Sequence, residues 1–243
     1  MAGKDDLEKR LHEEALTLGA DYFGVADLSP AQELIFEQGG QMMAQFPRSL
    51  SVGVVMPFTI VDQLPRHNDK AVAMAYYSHC YEILNRRLDE IASRLSSSLR
   101  REGYRAFPVR ATQTVDEDRQ YGLFSHKLAA HLAGLGWIGK SCLLVTPEVG
   151  PRARWASVLT DAPLTTGQPL TERCGTCMKC VEACPAHAFT GRNFQACEPR
   201  EARYDVFKCV DTRRDESTYA CGGACGMCVY VCPYGRKNER DTD

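Results

Sequence analysis

Cys174-x₂-Cys177-x₂-Cys180-x₃-Cys184-Pro185 and Cys225-x₂-Cys228-x₃-Cys232-Pro233 are the stretches on which the reading of this chain turns. The first has the bacterial spacing of a [4Fe–4S] ligand run, whose fourth cysteine, just before proline, ligates the other cluster of a pair. Thiolates two and three residues apart converge on one cubane because a tight loop turns them inward. The second run has three such cysteines, with Cys221 and Cys209 upstream of it. Two runs in one segment predict two clusters and hence an electron wire. Cys174, Cys177, Cys180 and Cys232 are expected to hold one of them.

Three other uses of cysteine fit less well. A zinc ribbon needs two Cys-x₂-Cys pairs about 15–20 residues apart and no further cysteines locked to them. A disulfide framework belongs to secreted, usually short chains. This chain has 243 residues and opens Met1-Ala-Gly-Lys-Asp-Asp, with no basic stretch leading into an apolar run. A thioredoxin-type site needs a single Cys-x-x-Cys. No apolar stretch reaches the ~18 residues of a membrane span. The expected location is therefore the cytoplasm, where thiols stay reduced.

Hydrophobic residues make up 44% and charged residues 25%, enough for a real core. Twenty-nine Lys and Arg against 31 Asp and Glu give a net charge of −2, which demands neither nucleic acid nor an anionic membrane. Arg86, Arg87, Arg94, Arg100, Arg101, Arg105 and Arg110 alternate with acidic residues and read as a solvated helix face, so RNA binding is not expected. Ten of the twelve cysteines follow residue 173, leaving only Cys80 and Cys142 before it. The Pro- and Gly-bearing stretch Asp161–Leu170 marks this break. Residues 1–165 and 166–243 are accordingly expected as two domains.

In the first of these, Leu7, Leu11, Ala15 and Leu18 lie on one face of a helix that Gly19 can end. Tyr22–Ala26, Ser51–Met56, Tyr104–Val109, Leu143–Thr146 and Arg154–Thr160 read as strands. The longest helix covers about 70–101, with Tyr77, Tyr81, Leu84, Leu88, Ile91, Leu95 and Leu99 as one apolar stripe. A short helix follows over Phe124–Leu132. Helices mixed with strands imply an α+β or α/β layered fold. The stretch Ala133-Gly-Leu-Gly-Trp-Ile-Gly-Lys140 fails both the Walker and the dinucleotide patterns. Spacing alone makes it a buried turn, although its glycines would let backbone approach a ligand.

Taken with Leu-Leu-Val-Thr-Pro-Glu148, Val-Leu-Thr-Asp-Ala-Pro163 and the double cysteine run, that stretch resembles the epoxyqueuosine reductase family over roughly residues 110–235. The resemblance implies an α+β fold, with a nitroreductase-like corrinoid-binding domain followed by a ferredoxin-like domain with two [4Fe–4S] clusters. It implies cobalamin, and it lays the corrin wall on Leu144, Val145 and Thr146, with Lys140, Ser141 and Cys142 beside them. The family continues into a helical-repeat region that is not expected here. Its proton-donating Asp falls on Gln120, within Asp116-Glu-Asp118-Arg-Gln120-Tyr121. The proton donors proposed in its place are His126, Tyr121 and Asp118, of which only His126 has an ordinary pKa near neutrality.

Electrons from reduced ferredoxin or flavodoxin would then pass through the clusters to the corrinoid and on to a small-molecule or modified-nucleoside substrate. A rival reading is an electron-transfer protein that reduces a partner's corrinoid or flavin. Local spacing favours Cys221 as the eighth cluster ligand, with Cys197 also a candidate. The resemblance instead implies Cys209, in Asp205-Val-Phe-Lys-Cys209-Val. The implied ligand set is thus Cys174, Cys177, Cys180, Cys184, Cys209, Cys225, Cys228 and Cys232.

Overall fold

The computed structural model describes residues 4–196, 198–214 and 225–239. In chain order the elements are α1 (Lys4–Thr17), β1 (Tyr22–Asp27), α2 (Gln32–Ala44), β2 (Arg48–Val55), α3 (Phe58–Val61), α4 (Lys70–Tyr77) and α5 (Leu84–Arg101). Then come β3 (Ala106–Val109), α6 (His126–Leu132), β4 (Trp137–Ile138), β5 (Leu144–Val145), β6 (Ala153–Thr160), α7 (Lys179–Glu182), α8 (Val206–Arg214) and α9 (Met227–Tyr230). These form two compact units, each assembled from separated segments. Unit 1 takes Met1–Val54, Asn85–Leu135 and Arg154–Leu170, and unit 2 takes Val55–Leu84, Gly136–Ala153 and Thr171–Asp243. The composition break expected near residue 165 lies close to one of these junctions, Leu170/Thr171. The cysteine-rich segment shares its unit with two stretches from earlier in the chain.

Unit 1 is built on a four-stranded sheet in the order β1-β2-β6-β3, with β1/β2 and β3/β6 antiparallel. Leu50, Val52 and Val54 of β2 are buried, and so are Ser49 and Ser51 between them, so the strand is covered on both faces. Helix α1 forms as its apolar spacing predicts, burying Leu7, Leu11 and Ala15. Gly19, at φ 90°, ends it in the left-handed region that glycine occupies without strain. Helix α2 has no clear sequence signature because Gly39 and Gly40 interrupt it. Gly40 leaves helical geometry at φ 63°, and a Cβ at Gly39 would lie 2.3 Å from Met43.

The long helix expected over residues 70–101 is three successive segments, with a π-helical stretch, Ser78–Ile83, between α4 and α5. Each π turn adds a residue, which rotates the buried face. The stripe expected through Tyr77 and Tyr81 is therefore carried by Tyr76 and Cys80, both fully buried, while Tyr77 is exposed. From Leu88 through Leu99 the expected stripe is buried. In unit 2, Asp69 caps α4 by accepting from the Ala71 N–H at 2.9 Å. β4 and β5 form a short antiparallel hairpin.

The crowding of the unit 1 sheet is testable at Gly53, where a Cβ would lie 2.6 Å from the Trp155 ring. Gly53→Ala should destabilise unit 1 by about 1–3 kcal/mol, the usual cost of overpacking. Combining it with Trp155→Val should recover much of that loss, a non-additivity read from urea midpoints. Simple addition of the two effects would contradict the packing.

Candidate metal centre

The two cysteine runs fold alike. Each opens in a loop and enters a single helical turn, α7 or α9, after which the last cysteine precedes a proline. The Cys177 N–H donates to the Cys174 carbonyl at 2.9 Å, closing the first loop. Gly226 starts the second turn at φ 70°, where a Cβ would strike Tyr76 and Leu64 at 2.9 and 2.7 Å, so only glycine fits. None of the ten cysteines among the described residues is in a disulfide.

The thiols gather into two groups. Cys180 is pushed up to about 12, first by burial and then by the charges of Cys174, Cys232 and Cys177. Cys232 is likewise raised by burial and by Cys174 and Cys177. Cys228 is raised well above its ordinary value, first by burial and then by Cys225, Cys209, Cys180 and Cys184. Cys232, from the second run, thus sits with the first, and Cys228 of the second run faces both Cys180 and Cys184 of the first. Interleaved runs of this kind are expected of a two-cluster fold. Cys209, on α8, belongs to the second group; Cys197 and Cys221 lie outside the described residues.

Neutral thiols crowded in this way gain little from one another. As thiolates they would repel, and burial penalises each charge. An iron–sulfur cluster resolves the conflict by supplying the positive charge, so metal binding is coupled to deprotonation. The surrounding groups fit such a cluster. The Trp137 indole N–H is buried beside Cys174 without a hydrogen bond of normal geometry. The Lys140 backbone N–H faces Cys174, and those of Tyr234 and Gly235 face Cys232. The Ala188 N–H points at the Cys184 Sγ from 3.5 Å. Burial and then Cys209 raise the Tyr204 phenol, which hydrogen-bonds that cysteine. Trp137 and Tyr204 are contributions that sequence spacing does not reveal. Taken as a set of three or more, no His, Cys, Asp or Glu side chains among the described residues are arranged to hold a single metal ion.

Lys140, Ser141, Cys142, Leu144, Val145 and Thr146 all lie in or next to the β4–β5 hairpin, with their side chains buried. The turn is closed by Cys142 N–H to the Gly139 carbonyl and Gly139 N–H to the Leu143 carbonyl, both 2.9 Å. Cys142 holds φ 55°, a strained value for a residue with a Cβ. The glycines nearby are used by protein packing. A Cβ at Gly136 would lie 2.4 Å from the Val145 carbonyl, and one at Gly139 would lie 2.9 Å from Val145 and 3.4 Å from Cys174 Sγ.

The three proton-donor candidates occupy two places in unit 1. Asp118 is exposed in a tight turn bridged by Asp116 and Tyr121. The Tyr121 ring lies 4.5 Å from the Arg119 guanidinium, which also pairs with Glu37. His126 opens α6, its Nε2 at 2.9 Å from the Arg110 carbonyl and its Nδ1 at 2.9 Å from the Ser157 hydroxyl. A carbonyl only accepts, so Nε2 carries the proton and Nδ1 accepts from Ser157. Burial pushes the ring down to about 4.

Comparison with known proteins agrees with the cysteine geometry. Residues 173–235 match the family described as a 4Fe-4S double cluster binding domain. The chain is 32% identical over 121 residues to an epoxyqueuosine reductase of Listeria monocytogenes, covering 49% of this chain and 31% of that protein. A Synechococcus epoxyqueuosine reductase is 32% identical over 186 residues, or 73% of this chain and 53% of that one. A tetrachloroethene reductive dehalogenase of Desulfitobacterium hafniense is 34% identical over 165 residues, or 63% and 28%. The chain therefore spans about a third to a half of these relatives.

Among solved structures, a reductive dehalogenase described in terms of B12-dependent dehalogenation superposes with a TM-score of 0.70 at 22% identity, over 98% of this chain and 33% of that one. An epoxyqueuosine reductase superposes with a TM-score of 0.64 at 18% identity, over 97% and 67%. Both share the fold.

The environment of His126 makes a pH prediction. Its value falls from 6.5 to about 4 on folding, so the neutral ring stabilises the fold above pH 6.5, and that contribution is lost as pH falls toward 4. NMR of the His126 ring should show no titration between pH 6 and 7, and a His126→Gln variant should lose less stability than the parent between pH 6.5 and 5. A ring that titrates near 6.5 would refute this.

Proposed function

We infer the chemistry of this chain from its kinship: it is a member of the group of iron–sulfur proteins that includes the epoxyqueuosine reductases and the reductive dehalogenases. We propose that it is an oxidoreductase whose two [4Fe–4S] clusters pass electrons to a bound corrinoid and on to an electrophilic substrate. The observation that supports this reading is the crowding of eight thiols, with Cys232 of the second run among those of the first and Cys184 of the first near Cys228 of the second. Cys174, Cys177, Cys180 and Cys232 would hold one cluster, and Cys184, Cys209, Cys225 and Cys228 the other.

When bound, a corrinoid supplies a cobalt centre that takes electrons singly and reacts as a strong nucleophile or reductant. The chain's own part is to hold the clusters and shield them from water. The hairpin residues Lys140, Ser141, Cys142, Leu144, Val145 and Thr146 bury their side chains, so they would meet a corrin through backbone. The strained turn at Cys142 supports that use. Of the proton donors, Asp118 and Tyr121 lie in a turn open to solvent on one side, whereas both nitrogens of His126 are engaged. His126 would therefore act by fixing the start of α6. Reduced ferredoxin or flavodoxin is the class of donor that suits low-potential clusters.

The engagement of His126, together with Gln120 in the place of the family's Asp, favours a second reading. In it the chain delivers electrons to a corrinoid or flavin held by a partner protein and has no substrate of its own. Cobalamin retained through gel filtration supports the first reading, and its loss from a cluster-replete protein supports the second.

Anaerobically prepared protein should carry about eight irons per chain, with broad absorbance near 400 nm that bleaches on reduction. Cys209→Ser should lose about half of the iron, while Cys197→Ser should keep all of it. Stoichiometric zinc with no such absorbance would overturn the cluster reading, and an unchanged Cys209→Ser would overturn the ligand assignment.

A further inference from the structure

Lys140 is only 6% exposed. Its Nζ donates to the Gly175 carbonyl at 2.8 Å and lies 3.6 Å from Met178 Sδ. Gly175 and Met178 each follow a cysteine of the first run, so the ammonium sits over the loop that carries Cys174, Cys177 and Cys180. Among the described residues no carboxylate pairs with it. A buried ammonium with one carbonyl and one thioether for company is expensive unless a counter-charge lies close by. Four thiolates around an iron–sulfur core carry net negative charge, and each reduction adds another unit of it.

The second thiol group is dressed differently. Among the described residues, the donors facing it include the neutral Tyr204 hydroxyl and the Ala188 N–H. The cation beside it, Arg213, is half-exposed and donates to the Cys209 carbonyl at 3.3 Å. Water screens such a charge, whereas Lys140 acts through a low dielectric. The Trp137 N–H adds a second donor on the Lys140 side, where the half-exposed Glu172 carboxylate, accepting from the Cys174 and Gly175 N–H groups, is the opposing charge. Hydrogen bonds and net charge around the sulfurs are the means by which proteins set cluster potentials.

We propose that Lys140 is the buried counter-charge of the cluster held by Cys174, Cys177, Cys180 and Cys232, and that with Trp137 it holds this cluster at a higher reduction potential than its neighbour. Electrons entering unit 2 then collect on that cluster. Lys140 is a positioning residue for charge, not a ligand. The proposal rests on the two-cluster reading above.

The test is an EPR-monitored redox titration of the anaerobically prepared full chain with dithionite as reductant, comparing the parent with Lys140→Met, Lys140→Arg, Trp137→Phe and, as an exposed-lysine control, Lys70→Met. The parent should show two resolved potentials. Lys140→Met should move the upper one to a more negative value and leave the lower in place. Trp137→Phe should move the same one less. Lys140→Arg should restore the parent's value, and Lys70→Met should match the parent. If Lys140→Met loses iron, Trp137→Phe and Lys140→Arg decide the matter alone. Clusters that share one potential, a shift of the lower potential, equal shifts of both, or no shift in an iron-replete variant would overturn the proposal. A parent without reversible iron–sulfur signals would overturn the two-cluster reading itself.

Discussion

Eight thiols brought together in a poorly solvated interior are the constraint around which unit 2 is organised. Packing alone does not favour such an arrangement. Buried thiols are weak hydrogen-bonding groups, and their thiolates repel one another in a poorly solvated interior. The raised values of Cys174, Cys180, Cys228 and Cys232 express that conflict. Binding of iron and sulfide reverses its sign, because each ligating thiolate then faces positive charge. The stability of this unit is accordingly a function of metal occupancy, as in other small metal-organised folds.

The same constraint explains why unit 2 draws on distant parts of the chain. The cluster loops have almost no regular structure, and their helices α7 and α9 are single turns. They need support from elsewhere. The β4–β5 hairpin provides some of it, with Trp137 edge-on to Tyr234 at 4.8 Å and Gly139 close against Cys174. Tyr76 of α4 packs on Gly226 at the start of the second run. Arg152, fully buried, pairs with Asp62 at 2.8 Å, stacks on Phe58 and fills the space beside Gly235, whose N–H faces Cys232. A buried cation paired in this way stabilises little by itself, but removing one partner is costly.

Much of this was legible in the sequence, and for identifiable reasons. Ligand spacing is local, so the two runs stand out from sixty residues of otherwise plain chain. Helix α1 and the later part of α5 follow a regular 3.6-residue pattern and carry the buried residues expected of them. The π stretch was invisible because a single inserted residue leaves composition unchanged and only rotates the face, exchanging Tyr77 and Tyr81 for Tyr76 and Cys80. Helix α2 was hidden by Gly39 and Gly40, which lower helix propensity; Gly39 meets a close approach of the Leu123 carbonyl, and Gly40 takes a left-handed φ of 63°. The split of each unit into separated segments was equally hidden, since composition changes mark where cysteines begin and not where distant segments pack.

The glycine-rich hairpin shows most clearly where pattern reading and physical structure part. From sequence, Gly136 and Gly139 look like room left for a ligand. In the fold, that room is taken by the carbonyl of Val145 and by the thiol of Cys174. The two uses are not exclusive. Glycines that let β4 press on β5 also bring the Lys140 N–H against Cys174 and carry the Lys140 ammonium over the first cysteine loop. A bulkier residue at position 139 would push the hairpin away from Cys174, lengthening the hydrogen bonds that favour a charged sulfur there. The residue type most easily read as a binding feature thus acts one step removed, by setting how closely donors approach the cluster.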